Sequence, residues 1–224
     1  MAKKIFRFFA NLLAHKNLYL IRSLIYRKQQ RRLPVSIDYV RYSSLELCGE
    51  EVTKRELPGS VAEVGVFRGD FSKRLNVLFP DKKLYLFDTF EGFPEDDVRF
   101  EKANDYSTGS QDFTGTSINL VRSKMKYPQN CVFKKGKFPD TAGGVGDPFC
   151  FVSLDTDLFL PIYEGLKFFY PRLVPGGYIF IHDFNNDQYP GAREAVLQFC
   201  TEQHIGFVPI PDAGGTAIIT KGFA

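Results

Sequence analysis

The chain has 224 residues, of which 44% are hydrophobic, and this length fits one α/β domain with an appendage better than two domains. Its four cysteines are far apart and lack CxxC spacing, so they indicate reduced core thiols and a cytoplasmic location. No apolar run is long enough to span a bilayer, and no small-residue cleavage site follows the N-terminal apolar segments, which argues against a secretory signal.

The net charge of +3 is distributed unevenly along the chain. Residues 1–32 contain nine Lys or Arg and no Asp or Glu, so residues 33–224 carry −6. Within the basic segment, two sets of apolar residues follow the spacing of an amphipathic helix: Ile5, Phe8, Phe9, Leu12 and Leu13, then Leu18, Ile21, Leu24 and Ile25. We therefore predict a basic helical arm over residues 1–40 and a main domain over residues 41–224.

Two interpretations of this arm remain open. In the first, the arm packs on the body or on a second subunit, and packing on a second subunit favours a homo-oligomer. In the second, residues 1–32 make a peripheral contact with the inner face of a membrane. Nucleic acid is not an expected partner, because nothing after the arm extends the basic surface.

From residue 60 onward, short apolar runs alternate with helical patterns, which is typical of βα units that feed a parallel sheet. Parallel strands are predicted at residues 61–65, 83–88, 131–135, 149–154 and 177–182, with a turn at 175–177 leading into the fifth. Runs at 206–210 and 216–221 predict a closing hairpin. Helices are predicted at 72–79, 117–127, 161–173 and 192–202, and a mobile loop over a site at 91–115. The predicted fold class is α/β, a doubly wound Rossmann-like sheet that is mostly parallel with a C-terminal antiparallel hairpin; it resembles the class I methyltransferase fold.

A glycine-containing turn follows the first predicted strand. Gly65 and Gly69 lie where a side-chain-free backbone can approach a ligand closely. The stretch from Glu63 to Gly69, which includes Phe67, resembles the E-x-G-x-x-x-G motif of methyltransferases, whose ligand is a methionine zwitterion attached to a ribose. A purely structural turn is the alternative for Gly69.

Further candidate cofactor residues follow the second and third predicted strands. Asp88 ends the second strand, where a carboxylate can accept two hydrogen bonds from a ribose diol, and Thr89 follows it; a helix N-cap is the alternative for Asp88. Gly136 and Asp140 follow the third strand, where the adenine is expected. Ser117 either closes over the adenosine or caps the next helix.

Five segments together resemble the macrocin-type sugar O-methyltransferase family. They are AEVGVFRG at residues 62–69, LFDTFEGFPE at 86–95, KGKFPDT at 135–141, SLDTDL at 153–158 and YPRLVPGGY at 170–178. The resemblance covers about residues 40–220, with the segments in the family's order and spacing. It implies S-adenosylmethionine as the methyl donor, a divalent metal that is usually magnesium, and a sugar-containing small molecule as the acceptor.

The resemblance also implies roles for acidic residues at two strand ends. Asp155 and Asp183 would be metal ligands, with Asp155 also beside the cofactor, and Asp157 would be the general base. Two carboxylates at neighbouring strand ends repel each other unless a cation or proton lies between them, which agrees with a metal. A pair of caps for the next helix is the alternative for Asp155 and Asp157.

His182 departs from the family pattern, which has another aspartate at this position. It is a third metal ligand, a catalytic base or a structural histidine. An imidazole ligand suits manganese, iron or zinc better than magnesium.

Two other function classes remain open at this point. A NAD(P)-dependent oxidoreductase shares the sheet and the acidic residue after the second strand, although the chain lacks GxGxxG and ends in a hairpin. A non-catalytic scaffold would bind the cofactor while the arm recruits a membrane or a partner.

Overall fold

The computed structural model describes residues 2–16, 18, 32–33 and 38–222, and the chain divides into two units at residues 31 and 32. The first unit contains helix α1, Ala2–Ala14. Of the second apolar set predicted for the arm, Ile21, Leu24 and Ile25 lie outside the described residues. None of the helices in the described ranges combines the length and the apolar character needed to cross a membrane.

The second unit begins at Arg32 and contains a seven-stranded sheet. Its strands are β1 Ser60–Val64, β2 Leu84–Asp88, β3 Cys131–Lys135, β4 Phe149–Leu154, β5 Leu173–Ile181, β6 Val208–Ile210 and β7 Thr216–Thr220. Its helices are α2 Tyr39–Lys54, α3 Asp70–Leu78, α4 Glu95–Ala103, α5 Ile118–Lys124, α6 Phe159–Arg172 and α7 Pro190–Gln203.

The strand order is β3-β2-β1-β4-β5-β7-β6. β1 to β5 pair in parallel, whereas β7 runs antiparallel to both β5 and β6. The predicted fold class, a mostly parallel doubly wound sheet with a C-terminal antiparallel hairpin, is confirmed. Because the chain order reverses between β1 and β4, the helices that follow these two strands, α3 and α6, pack on opposite faces of the sheet, and a crevice forms at its carboxyl edge.

The central strands lie between two layers of apolar side chains. Every residue of β4 is buried, as expected for a parallel strand covered on both faces. Phe169 of α6 and Phe199 of α7 belong to one core cluster, and Leu45 of α2 and Leu75 of α3 belong to the other. This packing fixes the strand ends from which the candidate site is built.

Two helices were not predicted from the sequence. Helix α2 begins after Asp38, whose side chain accepts the N–H of Arg41, and the boundary predicted at residue 40 falls inside it. Helix α4 lies within residues 91–115, so the prediction of a loop throughout that stretch is wrong. Its first turn is acidic, which stabilises the positive N-terminal end of a helix dipole.

The start of β5 also differs from the prediction. The strand begins at Leu173 and includes Pro175 to Gly177, where a turn was predicted. Phe149 pairs with Leu173 but Phe151 pairs with Tyr178, so the intervening residues of β5 form a bulge beside β4.

Candidate active site

Two clefts meet at the carboxyl edge of the sheet. The aromatic cleft is lined largely by apolar residues, among them Phe87, Phe93, Phe138, Leu158 and Pro161. The charged cleft contains Arg41, Glu63, His182, Asp183 and Tyr189. Both clefts are lined by Gly65, Phe67, Phe113, Asp155 and Asp157.

Gly65 allows two strand-end loops to pack against each other. Its φ is +86°, and a Cβ at this position would overlap the backbone carbonyl of Asp155. Glycine is therefore required here both for the left-handed backbone and for the close approach. The turn after β1, predicted to bind the cofactor, therefore packs directly against the backbone of Asp155, the predicted metal ligand after β4.

Asp88 holds this turn from the neighbouring strand. One oxygen, Oδ2, accepts the N–H groups of Val66 at 2.7 Å and Phe67 at 2.8 Å, and Oδ1 accepts the N–H of Phe90 at 2.6 Å. Asp88 lines the aromatic cleft, where its predicted ribose contact would lie. The alternative that it caps the next helix is wrong, because α4 begins after Pro94.

The structure brings some of the other predicted cofactor residues together and separates others. Thr89 and Gly136 line the aromatic cleft, and Glu63 lines the charged cleft. Three predicted residues line neither cleft: Gly69, Ser117 and Asp140.

The structure shows where each of these three residues lies outside the clefts. Gly69 directly precedes α3 with φ +75°, and a Cβ there would crowd Val121. Ser117 accepts the N–H of Leu120 at 3.2 Å and so caps α5, the alternative that the sequence left open. Asp140 is exposed in a short 3₁₀ turn, Asp140–Ala142.

Glu63 is a buried carboxyl group at the base of the charged cleft. Burial raises its pKa well above the usual value, and the hydrogen bond from Ser72 Oγ opposes this shift. An ammonium group in the cleft would pair with this carboxyl and favour its ionised form.

A histidine bridges two carboxylates at the ends of β4 and β5. His182 Nδ1 lies 3.1 Å from Asp155 Oδ1 and 2.7 Å from Asp183 Oδ2. The two parallel strands pair Leu154 with Ile181, so the residues that follow them meet. Burial alone would lower the pKa of His182, but the adjacent carboxylates raise it to about 10.

Asp157 and Asp183 both have left-handed backbones, with φ of +60°. This conformation is unfavourable for residues other than glycine and is found preferentially at functional sites. Burial and the charge of Asp183 raise the pKa of Asp157, which shares a hydrogen bond with Asp183. The alternative that Asp155 and Asp157 cap α6 is wrong, because the N-cap residue is Leu158, whose side chain makes no capping hydrogen bond, and the N–H of Phe159 is accepted by Glu101.

Arg41 of α2 was not predicted as a site residue. Its Nη2 lies 2.8 Å from Asp155 Oδ2, and its guanidinium lies 4.2 Å from the centroid of the Phe71 ring. Burial raises the pKa of Asp155, but Arg41 and His182 outweigh this effect and hold it well below the usual value. No motif identifies Arg41, because α2 reaches the site only through the tertiary fold.

The clefts contain further residues that the sequence did not predict, among them Asp97 and Tyr189. Asp97 of α4 is buried in the aromatic cleft and lies 3.0 Å from Lys137 Nζ. Tyr189, just before α7, lines the charged cleft; burial and the charges of Asp157 and Asp183 raise its pKa to about 12. The Pro that follows Tyr189 is a helix-start signal, but it gives no indication of a site.

The residues at the strand ends fit a divalent cation. Ligand atoms of Asp155, His182 and Asp183 all lie within 4.8 Å of one another. Two carboxylates and one imidazole form a donor set that manganese, iron and zinc accept more readily than magnesium does.

The turn between β6 and β7 covers the outer edge of His182. A Cβ at Gly214 would overlap the Cε1 and Nε2 atoms of the imidazole. Asp38 and Asp212 also offer carboxylate oxygens within 4.8 Å of a His182 nitrogen. The imidazole is therefore surrounded by carboxylates contributed by widely separated parts of the second unit.

Comparison with known proteins gives a family and a consistent set of relatives. The sequence model of the macrocin O-methyltransferase (TylF) family matches residues 35–218. A tetracenomycin relative from Streptomyces olivaceus, named 8-demethyl-8-(2,3-dimethoxy-alpha-L-rhamnosyl)-tetracenomycin-C 4'-O-methyltransferase, is 27% identical over 81% of this chain and 72% of its own length. Mycinamicin III 3''-O-methyltransferase from Micromonospora griseorubida is 27% identical over 71% of this chain and 67% of its own. The solved structure of the O-methyltransferase NovP shares the fold, with a TM-score of 0.68, 21% identity and coverage of 88% and 89%.

Proposed function

The chain belongs to the macrocin O-methyltransferase family, and from this we propose that it transfers a methyl group from S-adenosylmethionine to a hydroxyl of a sugar-containing acceptor. Membership of an O-methyltransferase family leaves no role for the nicotinamide of the oxidoreductase alternative. The observation that carries the proposal is the meeting of an aromatic and a charged cleft at Gly65, Asp155 and Asp157.

The two clefts suit the two ends of the methyl donor. The rings of Phe67, Phe93 and Phe113 offer faces and edges to an adenine, and Asp88 lies on the same wall within reach of a ribose. Glu63 lies in the charged cleft, where it would hold the ammonium group of the methionine. The donor supplies an activated methyl group on a sulfonium centre, so the enzyme must mainly orient the acceptor behind that carbon.

The charged cleft suits a polar acceptor. The names of the two relatives describe transfer to sugar-bearing natural products, and we extend a sugar acceptor to this chain on that basis. Asp157 has a carboxyl group at the junction of the clefts, where it would take up the proton of the attacking hydroxyl. Asp157 must be ionised for this step. The charge of Asp183 is one of the causes that raise the pKa of Asp157, so a cation bound to Asp183 would favour the ionised form.

We further propose that Asp155, His182 and Asp183 hold a divalent cation beside the acceptor. Such a cation lowers the pKa of a coordinated hydroxyl and orients it. The family resemblance implies magnesium, whereas the imidazole of His182 favours a softer ion. Arg41 keeps Asp155 ionised, which is the form that a cation requires.

Binding and turnover experiments test this function in two steps. Calorimetry on the full chain should show binding of S-adenosylhomocysteine and none of NAD. Turnover is then measured by mass spectrometry with S-adenosylmethionine, manganese or magnesium, and a panel of nucleotide sugars and glycosides with neighbouring hydroxyls. A folded protein that does not bind S-adenosylhomocysteine would overturn the proposal.

The variant Asp157→Asn separates catalysis from cofactor binding. It should bind S-adenosylhomocysteine as the wild type does but lose turnover by about a hundredfold or more, the usual contribution of a general base. Unchanged turnover would remove Asp157 from the mechanism without affecting the rest of the site.

A further inference from the structure

Exposed apolar side chains are concentrated in the N-terminal unit. Nine large apolar residues are exposed in the described part of the chain, and six of them lie between residues 5 and 18. In helix α1, Ile5, Phe8, Phe9 and Leu12 are each between 52% and 66% exposed. Their spacing places them in one stripe along the helix, which we call the α1 stripe, and Arg7 falls on the opposite side.

The charge of this segment distinguishes a second arm, a nucleic acid and a membrane as external partners for the stripe. Residues 1–32 carry nine positive and no negative side chains, whereas residues 33–224 carry −6. Pairing the arms of two copies would bring like charges together. An anionic bilayer offers both an apolar layer for the stripe and negative headgroups for the cations, whereas nucleic acid offers the charge alone.

We propose that α1 lies in the surface of an anionic membrane, with the α1 stripe in the boundary between headgroups and acyl chains. The helix has 13 residues, too few to cross the roughly 30 Å hydrocarbon core, so the attachment is peripheral. The positive charge of residues 1–32 attracts the arm to the anionic headgroups. The proposal does not depend on the methyltransferase reaction.

Vesicle sedimentation of the full chain tests this attachment. We expect binding to vesicles of phosphatidylcholine and phosphatidylglycerol in equal parts, weakening as salt is raised, and little binding to pure phosphatidylcholine. The variant Phe8→Glu should bind the anionic vesicles at least about tenfold more weakly, since it loses the burial of a phenylalanine. Val208→Glu is the matched control, because Val208 is 61% exposed on β6 and undergoes the same kind of change.

A second variant tests the charge without changing the stripe. Replacing Arg22, Arg27, Lys28 and Arg31 with glutamine should also weaken binding to the anionic vesicles and flatten its salt dependence. Thermal unfolding like that of the wild type, for each variant, shows that the body is folded.

Several outcomes would overturn the proposal. They are equal binding by Phe8→Glu and wild type, equal binding to both vesicle types, and no vesicle binding at all. Light scattering reports the rival occupant: a wild-type dimer that Phe8→Glu converts to a monomer, without vesicle binding, assigns the stripe to a second copy of the chain.

Discussion

The guanidinium of Arg41 lies 2.8 Å from the carboxylate of Asp155, a residue 114 positions later in the chain. The other oxygen of the same carboxylate faces His182 at 3.1 Å. Both oxygens of Asp155 thus have cationic or protonatable partners, and the side chain is only 21% exposed. The first helix of the second unit, α2, therefore fixes the orientation of a carboxylate at the junction of the two clefts.

Replacing Arg41 tests this relationship. Arg41→Met should lower the free energy of unfolding by about 3 kcal/mol, because it leaves a largely buried carboxylate without its strongest partner. Lys54→Met, on the same helix, removes ion pairs whose lysine is 53% exposed and should change stability little. Urea unfolding measures both, and equal losses would show that Arg41 contributes no more than a surface charge.

Gly65 should not tolerate a side chain. Gly65→Ala combines an unfavourable left-handed backbone with an overlap on the carbonyl of Asp155, so we expect a loss of about 3 kcal/mol and weaker binding of S-adenosylhomocysteine. Gly144→Ala is the control, since Gly144 has φ +75° and nothing within 4 Å of an added Cβ. If the two variants unfold at the same urea concentration, the overlap has no cost.

Asp88 and Asp140 were both predicted to bind the cofactor, and the structure predicts different results for them. Asp88→Asn loses acceptor capacity for the N–H groups of Val66, Phe67 and Phe90, so S-adenosylhomocysteine should bind at least about tenfold more weakly. Asp140→Asn should leave the affinity unchanged, because Asp140 lines neither cleft. Calorimetry decides, and weaker binding by Asp140→Asn would return that residue to the site.

His182 should control the choice of metal. His182→Asp creates a set of three carboxylates, and its affinity for magnesium relative to manganese should rise by about tenfold. Calorimetric titration of the protein with each metal measures this ratio without reference to turnover. His15→Asp makes the same change at an exposed histidine of the arm and should leave the ratio unaltered; an unaltered ratio in His182→Asp would exclude the imidazole from the proposed metal site.

Glu101 joins α4 to the start of α6. It is buried and accepts the N–H of Phe159 at 2.7 Å and the hydroxyl of Ser107 at 3.0 Å. Glu101→Ala should cost about 3 kcal/mol, since it leaves these donors without an acceptor, and Glu101→Gln about 1 kcal/mol. Glu95→Ala, exposed on the same helix, should have a much smaller effect in urea unfolding. Equal effects of the alanine and glutamine variants would mean that the hydrogen bonds contribute little.

The strand pattern and the strand-end carboxylates could be predicted from the sequence because each depends on local apolar runs and on the geometry of parallel sheets. β3 and β4 have the predicted bounds, and Asp155 meets Asp183 because their strands are neighbours. Predicting that Asp155 and Asp183 meet therefore required no tertiary information beyond the order of the strands.

Helices α2 and α4 could not be predicted because they bury charged residues where an amphipathic helix has apolar ones. α2 buries Arg41, Glu46 and Glu50, and α4 buries Asp97 and Glu101. These charges disrupt the apolar periodicity on which the prediction depends. The same burial explains why Arg41 and Asp97, two site residues, gave no signal.

The contact between Gly214 and His182 has a consequence for how the protein is completed during synthesis. A growing chain that has folded through β5 and the two residues after it already contains Arg41, Asp155 and Asp183, but it lacks the turn with Gly214 that covers the outer edge of the His182 imidazole. That edge of the charged cleft is covered only when the hairpin of β6 and β7 docks, so a chain released before that point would hold the strand-end side chains without the turn that covers the imidazole.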